Sequence, residues 1–221
     1  MVMQHAGSDR DVIKNANSGE NANDRKNDVR ATIDELEKLT LTRGQFDGKL
    51  DLDRLGMSGH SFGAITTQAV SGQEHRLKEQ THKDSRINAA ITMSPSITPL
   101  AGASSAFASV KKPWLLMTGT DDNSPVNRRV DAKSRREVFK ALPSDGHSFE
   151  LVLNEGTHFK FGGRSDRLPA SKKSKQQQET VKAISTAFWD AYLTEAPAAL
   201  AWLNGDEVTT VLDDRDTWSK K

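Results

Sequence analysis

The chain has 221 residues, and its 31 lysines and arginines against 30 aspartates and glutamates give a net charge of +1 at pH 7. This balance provides no electrostatic footprint for nucleic acid or for an anionic membrane. The chain has no cysteine, which excludes disulfides and thiolate metal sites. No apolar run approaches the roughly 18 residues of a membrane span, and the first residues do not resemble a signal peptide. We expect one domain over residues 1–221, in a compartment that the sequence leaves open.

The first fifty residues are mostly polar. Residues 1–4 predict a fragment of apolar strand, and residues 8–28, rich in Asn, Asp and Lys, predict a loop. A helix is indicated next, because apolar residues recur at helical spacing at Val29, Ile33, Leu36 and Leu39. A turn is expected over residues 44–48.

The next stretch contains the pattern Gly-x-Ser-x-Gly, formed by Gly59, Ser61 and Gly63. Apolar residues before it predict a short buried strand, and residues 63–70 predict the start of a tightly packed helix. Strand, sharp turn and helix are the context of a nucleophile elbow, in which the serine sits at the tip in a strained conformation. We expect a Cβ at either glycine to collide with its neighbours. The alternative is an ordinary turn with an exposed serine.

The rest of the chain alternates predicted strands and helices. Strands are expected over residues 87–93, 114–117 and 149–153, and helices over residues 130–142 and 181–192, the latter continued or followed by Leu200 and Leu203. Residues 96–110 and 160–178 predict loops, and the polar tail from Asp213 onward is expected to be frayed. The alternation predicts an α/β fold with a mostly parallel sheet and helices on both of its faces.

Chemically useful residues follow three of these strands. Ser61 follows the first strand, Asp121 and Asp122 follow the strand at Trp114, and His158 follows the strand at Phe149. The carboxyl ends of parallel strands meet at one edge of a sheet, so these side chains can converge there. A serine needs an imidazole to take its proton, and the imidazole needs a carboxylate to fix its tautomer.

Each member of this set has an alternative interpretation. Asp122 could serve only the turn, and His158 could be an ordinary loop histidine. We prefer Asp122 over Asp121 because the acid usually stands three residues after the glycine that ends this strand, here Gly119. The other histidine candidates fit less well because of where they lie relative to the strands: His60, His75, His82 and His147.

Several segments resemble those of bacterial proteins predicted to be dienelactone hydrolases, from the branch that includes platelet-activating-factor acetylhydrolases and polyester hydrolases. The similar segments are residues 4–9, 52–63, 116–122, 156–158 and 187–193. The resemblance runs nearly end to end. It implies an α/β-hydrolase fold and hydrolysis of carboxylic esters through an acyl-enzyme. It further implies that Ser61 is the nucleophile, His158 the base and Asp122 the orienting acid. Dienelactone hydrolases proper use a cysteine nucleophile, which this chain lacks, so the resemblance does not extend to their substrate.

An acyl-transfer site also needs two donors for the oxyanion. One is the backbone N–H of Phe62, which follows the nucleophile, and the other comes from a loop after an earlier strand, often marked by His-Gly. Residues 5–7 could be that loop. However, only one helix and no strand is predicted between Gly7 and Leu50, so we expect the oxyanion strand to be absent and the fold to be N-terminally incomplete.

These expectations leave two classes of function. The first is a serine esterase whose start is internal to a longer gene, acting on a small ester without metal or cofactor, because no His, Asp and Glu cluster has ligand spacing. The second is a catalytically silent α/β-hydrolase fragment with a binding or structural role.

Overall fold

In the computed structural model of this protein, the described residues are 1–3, 5, 19–41, 46–74, 81–97, 103–161 and 172–221. They form two compact units, Met1–Asp53 and Arg54–Lys221. The expectation of one domain over residues 1–221 stays a prediction.

The first unit is built on helix α1 (Gly19–Leu41). Val29 and Ile33 belong to the apolar stripe that predicted this helix, and both are buried. The helix begins well before Val29, so the loop prediction for residues 8–28 is wrong over residues 19–28. Polar side chains one turn apart, such as Lys26 and Asn23 at 3.2 Å, support this first part, and hydrophobic periodicity cannot detect such pairs. Residues 1–3 form no strand, contrary to prediction, and Gln4 lies outside the described residues.

The second unit alternates strands and helices. Its strands are β1 (Leu55–His60), β2 (Ile87–Met93), β3 (Trp114–Asp121), β4 (Ser148–Thr157) and β5 (Thr217–Lys220). Its helices are α2 (Phe62–Ser71), α3 (Ala103–Phe107), α4 (Ala132–Arg135), α5 (Glu137–Ala141), α6 (Lys172–Leu193) and α7 (Pro197–Asn204), with short 3₁₀ turns at His158–Lys160 and Glu207–Val211.

The five described strands form one sheet in the order β1-β2-β3-β4-β5. The first four strands run parallel, and β5 pairs antiparallel with β4. This confirms the expectation of an α/β fold with a mostly parallel sheet. Among the described strands β1 pairs only with β2, so it lies at one edge of the sheet, where Gly56 and Ser58 are exposed.

Side chains alternate between the two faces of the sheet, as the period of a strand requires. On one face Leu115 and Met117 of β3 pack with Ile184 and Phe188 of α6. On the other face Trp114 and Leu116 pack with residues of α3 and α5. Helices therefore cover both faces, and the carboxyl ends of β1 to β4 remain together at one edge.

Three loop or helix predictions need correction. The loop predicted over residues 96–110 contains α3, and the helix predicted over 130–142 is two short helices, α4 and α5, with Arg136 between them. Helix α6 begins at Lys172, so the last part of the loop predicted over 160–178 is helical. Lys173 pairs there with Glu155 at 2.7 Å, an ion pair that periodicity cannot indicate.

The C-terminal tail is also ordered, contrary to the prediction of fraying. Strand β5 pairs with β4, and both the backbone N–H and the carbonyl of Lys221 bond to Ser148. The ring of Trp218 stacks on Phe149 with centroids 5.5 Å apart, and its indole N–H donates to the carbonyl of Leu203. A polar strand is stable here because the sheet supplies its hydrogen bonds and one aromatic ring anchors it.

Candidate functional site

Ser61 occupies the sharp turn between β1 and α2. Its backbone has φ 57° and ψ −113°, a region that residues other than glycine rarely adopt. The strain is held by the backbone on both sides: the N–H of Ser61 donates to Met93, the last residue of β2, and its carbonyl accepts from Ala64 and Ile65 in α2. The side chain is thereby fixed at the tip of the turn.

The two glycines of the turn play unequal parts. A Cβ on Gly59 would lie 2.2 Å from the carbonyl oxygen of Gly63, so only glycine allows β1 and α2 to approach this closely. A Cβ on Gly63 would meet no described atom within 4 Å. The expectation that both glycines are needed to avoid collision is therefore wrong for Gly63, which contributes its carbonyl to the close approach.

Asp122 follows β3 and is fully buried. Its N–H donates to the carbonyl of Gly119, which turns the chain back at the end of the strand. Its Oδ2 accepts from the hydroxyl of Thr118 at 2.8 Å. The neighbouring Asp121 is exposed and pairs with Thr157 in the sheet. Asp122, and not Asp121, thus points its carboxylate inward.

His158 follows β4 in a short 3₁₀ turn and is 5% exposed. Its Nε2 lies 2.9 Å from the Oγ of Ser61, and its Nδ1 lies 2.8 Å from the Oδ1 of Asp122. The ends of β3 and β4 approach closely, because a Cβ on Gly119 would lie 2.2 Å from the carbonyl oxygen of Gly156. The structure thus brings the three residues singled out by the sequence into one hydrogen-bonded chain.

The partners of His158 determine where its proton lies. The carboxylate of Asp122 can only accept, so the Nδ1 that it contacts carries the hydrogen. Nε2 then has a free lone pair and accepts from the hydroxyl of Ser61. This tautomer lets the imidazole remove a proton from the serine as its oxygen attacks an electrophile.

His60 is a component of this site that the sequence analysis set aside. It precedes Ser61, and its Nε2 lies 2.8 Å from the backbone carbonyl of His158, to which it donates. The two imidazoles are 4.6 Å apart between ring centroids. Burial is the main cause that lowers the pKa of His60, and its electrostatic interaction with His158 lowers it further. A neutral His60 therefore supports the turn that carries His158.

Arg135 is the second component that the sequence did not reveal. This side chain is 2% exposed, and its Nε lies 3.0 Å from the Oδ1 of Asp122. Burial lowers the pKa of Arg135, and the Asp122 carboxylate opposes that shift. An arginine in a run of charged residues reads as a surface residue, and only its carboxylate partner makes burial tolerable.

The other histidine candidates lie apart from this cluster or outside the described residues. His147 is exposed at the start of β4, where its ring meets Tyr192 edge-on with centroids 6.1 Å apart. His82 precedes β2, at the opposite end of that strand from Ser94. His75 lies outside the described residues.

The two expected oxyanion donors differ in where the structure places their residues. Phe62 is the first residue of α2, so its N–H lies at the helix N-terminus directly after the nucleophile. His5, considered as part of the second donor loop, belongs to the first unit, where its Nδ1 lies 2.8 Å from Asp28. Ala6 and Gly7 lie outside the described residues. No residue is therefore assigned to the second donor.

Among the described residues, His, Asp and Glu side chains do not come together in any group of three that could hold a metal ion. None of the helices in the described part of the chain is both long and apolar enough to cross a membrane. Compared with known proteins, the chain matches no family model and no curated protein sequence.

Proposed function

We propose that this protein is a serine-dependent carboxylic ester hydrolase of the α/β-hydrolase type, with Ser61, His158 and Asp122 as its catalytic triad. The observation that carries the proposal is the unbroken chain from Ser61 Oγ to His158 Nε2 at 2.9 Å and from His158 Nδ1 to Asp122 Oδ1 at 2.8 Å. The chain begins at a strained serine between a strand and a helix. The order Ser, Asp, His along the sequence is also that of the α/β-hydrolase triad.

In the acylation step the Oγ of Ser61 attacks the ester carbonyl carbon while His158 Nε2 takes the hydroxyl proton. Asp122 stabilises the imidazolium that forms. The negative charge that develops on the carbonyl oxygen is stabilised by the N–H of Phe62. Collapse of this intermediate breaks the bond to the alkoxy oxygen, which leaves as the alcohol with the proton from His158.

In the deacylation step a water molecule attacks the acyl group on Ser61. His158 takes a proton from that water and returns it to the Oγ of Ser61 when the acyl bond breaks. The products are the carboxylic acid and the free enzyme, so the cycle consumes one ester and one water. The chemistry requires neither a cofactor nor a metal ion.

A binding or structural role without catalysis is the alternative, and one observation favours it. Among the described strands, β1 has a partner on one side only. In α/β-hydrolases the second oxyanion donor comes from a loop after an earlier strand. Loss of one such donor costs about 10²–10³-fold in turnover, so a site that relies on Phe62 alone would be slow.

The experiment that separates the two functions combines covalent labelling with ester turnover. Purified protein is treated with a fluorophosphonate and mapped by peptide mass spectrometry, and hydrolysis of p-nitrophenyl acetate is measured in parallel. We expect the label on Ser61 and the loss of both label and turnover in Ser61→Ala. The matched control is Ser58→Ala, which removes the exposed serine of β1 and should change neither. Equal turnover in wild type and Ser61→Ala would contradict the proposal, and a folded protein that is neither labelled nor active would favour the silent alternative.

A further inference from the structure

Arg135 connects the loops that follow two neighbouring strands. Its Nη1 donates to the carbonyl oxygens of Ser94 and Pro95 at 2.7 and 3.1 Å and to the hydroxyl of Ser96 at 3.1 Å, all directly after β2. Its Nε donates to the backbone carbonyl of Asp122 at 2.6 Å, after β3. One buried guanidinium thus uses its fixed fork of donors to join two segments at the carboxyl edge of the sheet.

The same guanidinium also contacts the carboxylate and the imidazole of the candidate triad. Nε lies 3.0 Å from Asp122 Oδ1, the oxygen that faces His158, and Nη2 lies 3.1 Å from His158 Nδ1. Thr118 holds the other carboxylate oxygen. Each oxygen of the Asp122 side chain thus has a polar partner besides His158: Thr118 donates to Oδ2, and the guanidinium of Arg135 forms an ion pair at Oδ1.

The two partners of His158 Nδ1 exclude each other. A ring nitrogen carries either a hydrogen or a lone pair, so Nδ1 can donate to Asp122 or accept from Arg135, but not both. Donation to Asp122 leaves Nε2 free to accept from Ser61. Acceptance from Arg135 would put the hydrogen on Nε2 and block that role. The contact with Asp122 thus favours the reactive tautomer, with the hydrogen on Nδ1, whereas the neighbouring Arg135 favours the other tautomer.

We propose that Arg135 is a positioning residue, which holds Asp122 in the orientation that gives His158 its reactive tautomer. This inference rests on the proposed function, because tautomer choice matters only if His158 acts as a base. Arg135 acts on Ser61 through Asp122 and His158 and not by direct contact. Its effect should therefore depend on whether Asp122 can accept a hydrogen bond.

The test is a double-mutant cycle of Arg135→Met and Asp122→Asn, with kcat and KM measured for p-nitrophenyl acetate on folded protein. We expect Arg135→Met alone to lower kcat about 100-fold, the loss typical of a displaced catalytic group, with KM nearly unchanged. In the Asp122→Asn background, Arg135→Met should leave kcat unchanged or raise it, because it removes the guanidinium that favours the wrong tautomer of His158. An equal loss in both backgrounds would overturn the proposal, since it would indicate that Arg135 only supports the fold.

The matched control is Arg136→Met. Arg136 is the next residue, and it donates to Glu150, a buried acid within β4, at 2.7 and 2.9 Å. This variant also removes an arginine from a buried carboxylate, but away from Ser61 and His158, so kcat per folded molecule should stay at the wild-type value. If Arg135→Met does not fold, Arg135→Lys replaces it. A single ammonium cannot reproduce the fork, so we expect kcat to fall there as well.

A second measurement separates this proposal from the proposed function. The hydrogen of His158 Nδ1, bonded to Asp122, should give a far-downfield proton resonance that needs no substrate and is lost in Asp122→Asn. We expect Arg136→Met to retain it and Arg135→Met to shift or abolish it. An unshifted resonance in Arg135→Met would overturn the positioning role, whatever the turnover. A wild type with the resonance but without turnover would instead contradict the esterase proposal, and the effect of Arg135→Met on the resonance would still decide the role of Arg135.

Discussion

At the scale of single residues, the candidate site is built around one buried carboxylate and its polar partners. Asp122 is fully buried, and it faces three partners, Thr118, Arg135 and His158. A buried carboxylate is tolerable only with such partners, because burial without them carries a large desolvation cost. This arrangement fixes Asp122 before any substrate binds, which is what a general-base dyad requires.

The first prediction concerns which of two adjacent acids serves the imidazole. Asp122→Asn should lower kcat by up to about 10⁴-fold, because an amide can donate to His158 Nδ1 and so favours the wrong tautomer. Asp121→Asn is the matched control, since Asp121 is exposed and does not contact the imidazole. Steady-state turnover of p-nitrophenyl acetate measures both. A larger loss in Asp121→Asn would transfer the acid role to that residue.

The second prediction concerns the pH dependence of stability and follows from the lowered pKa of His60, which is caused first by burial. The unfolded chain protonates this histidine more readily than the folded protein does. The contribution of neutral His60 to stability is therefore complete above the ordinary histidine pKa of about 6.5. It is lost as pH falls toward the lower pKa that His60 has in the folded protein.

The variant His60→Gln keeps an N–H donor for the carbonyl of His158 but cannot titrate, so its stability should fall less steeply between pH 7 and pH 5. Urea unfolding at a series of pH values measures the slope. His147→Gln, at an exposed site, should retain the wild-type slope. If His60→Gln also retained it, His60 would not be the group responsible.

At the scale of elements, the site is created by how strands end and turn. Ser61, Asp122 and His158 follow the carboxyl ends of β1, β3 and β4 respectively. A close backbone approach at Gly119 brings the ends of β3 and β4 together, and one at Gly59 lets β1 turn sharply into α2. The short helices α4 and α5, with a break at Arg136, place Arg135 against the loops after β2 and β3.

The third prediction tests the unequal roles of the two elbow glycines. Gly59→Ala should destabilise the protein by about 1–3 kcal/mol or more, because its Cβ would lie 2.2 Å from a backbone oxygen that cannot easily move. It should also displace Ser61 and lower turnover. Gly63→Ala should be neutral or stabilise by up to about 1 kcal/mol, because Gly63 lies in α2, where alanine is the better helix former. Thermal unfolding measures the two changes, and equal effects would contradict the assigned close approach.

At the scale of the whole molecule, the described strands bring distant parts of the chain to one sheet. The C-terminal strand β5 returns to pair with β4, so the last residues of the chain complete the sheet beside the strand that leads to His158. Stability of the candidate site therefore depends on a segment far from Ser61 in the sequence.

The fourth prediction tests this dependence. Trp218→Ala removes the ring stacked on Phe149 and the indole N–H bonded to Leu203, and should cost about 2–3 kcal/mol, less than a fully buried tryptophan because Trp218 is only half-buried. Thr217→Ala, at an exposed position of the same strand, is the control and should change stability by no more than about 0.5 kcal/mol. Urea unfolding measures both. No loss of stability in Trp218→Ala would show that this ring does not anchor β5.

The sequence by itself determined the succession of parallel strands and the positions of Ser61, Asp122 and His158. Apolar runs and the turn residues that end them are local signals, and the topology of a parallel sheet brings strand ends together. Only the tertiary structure decided the parts played by Arg135, His60 and Trp218. Each of these residues is buried or ordered by a partner at least twelve residues away, at Asp122, His158 and Phe149 respectively. A charged or polar residue becomes part of a core only when such a partner compensates its desolvation, and that compensation has no local pattern in a sequence.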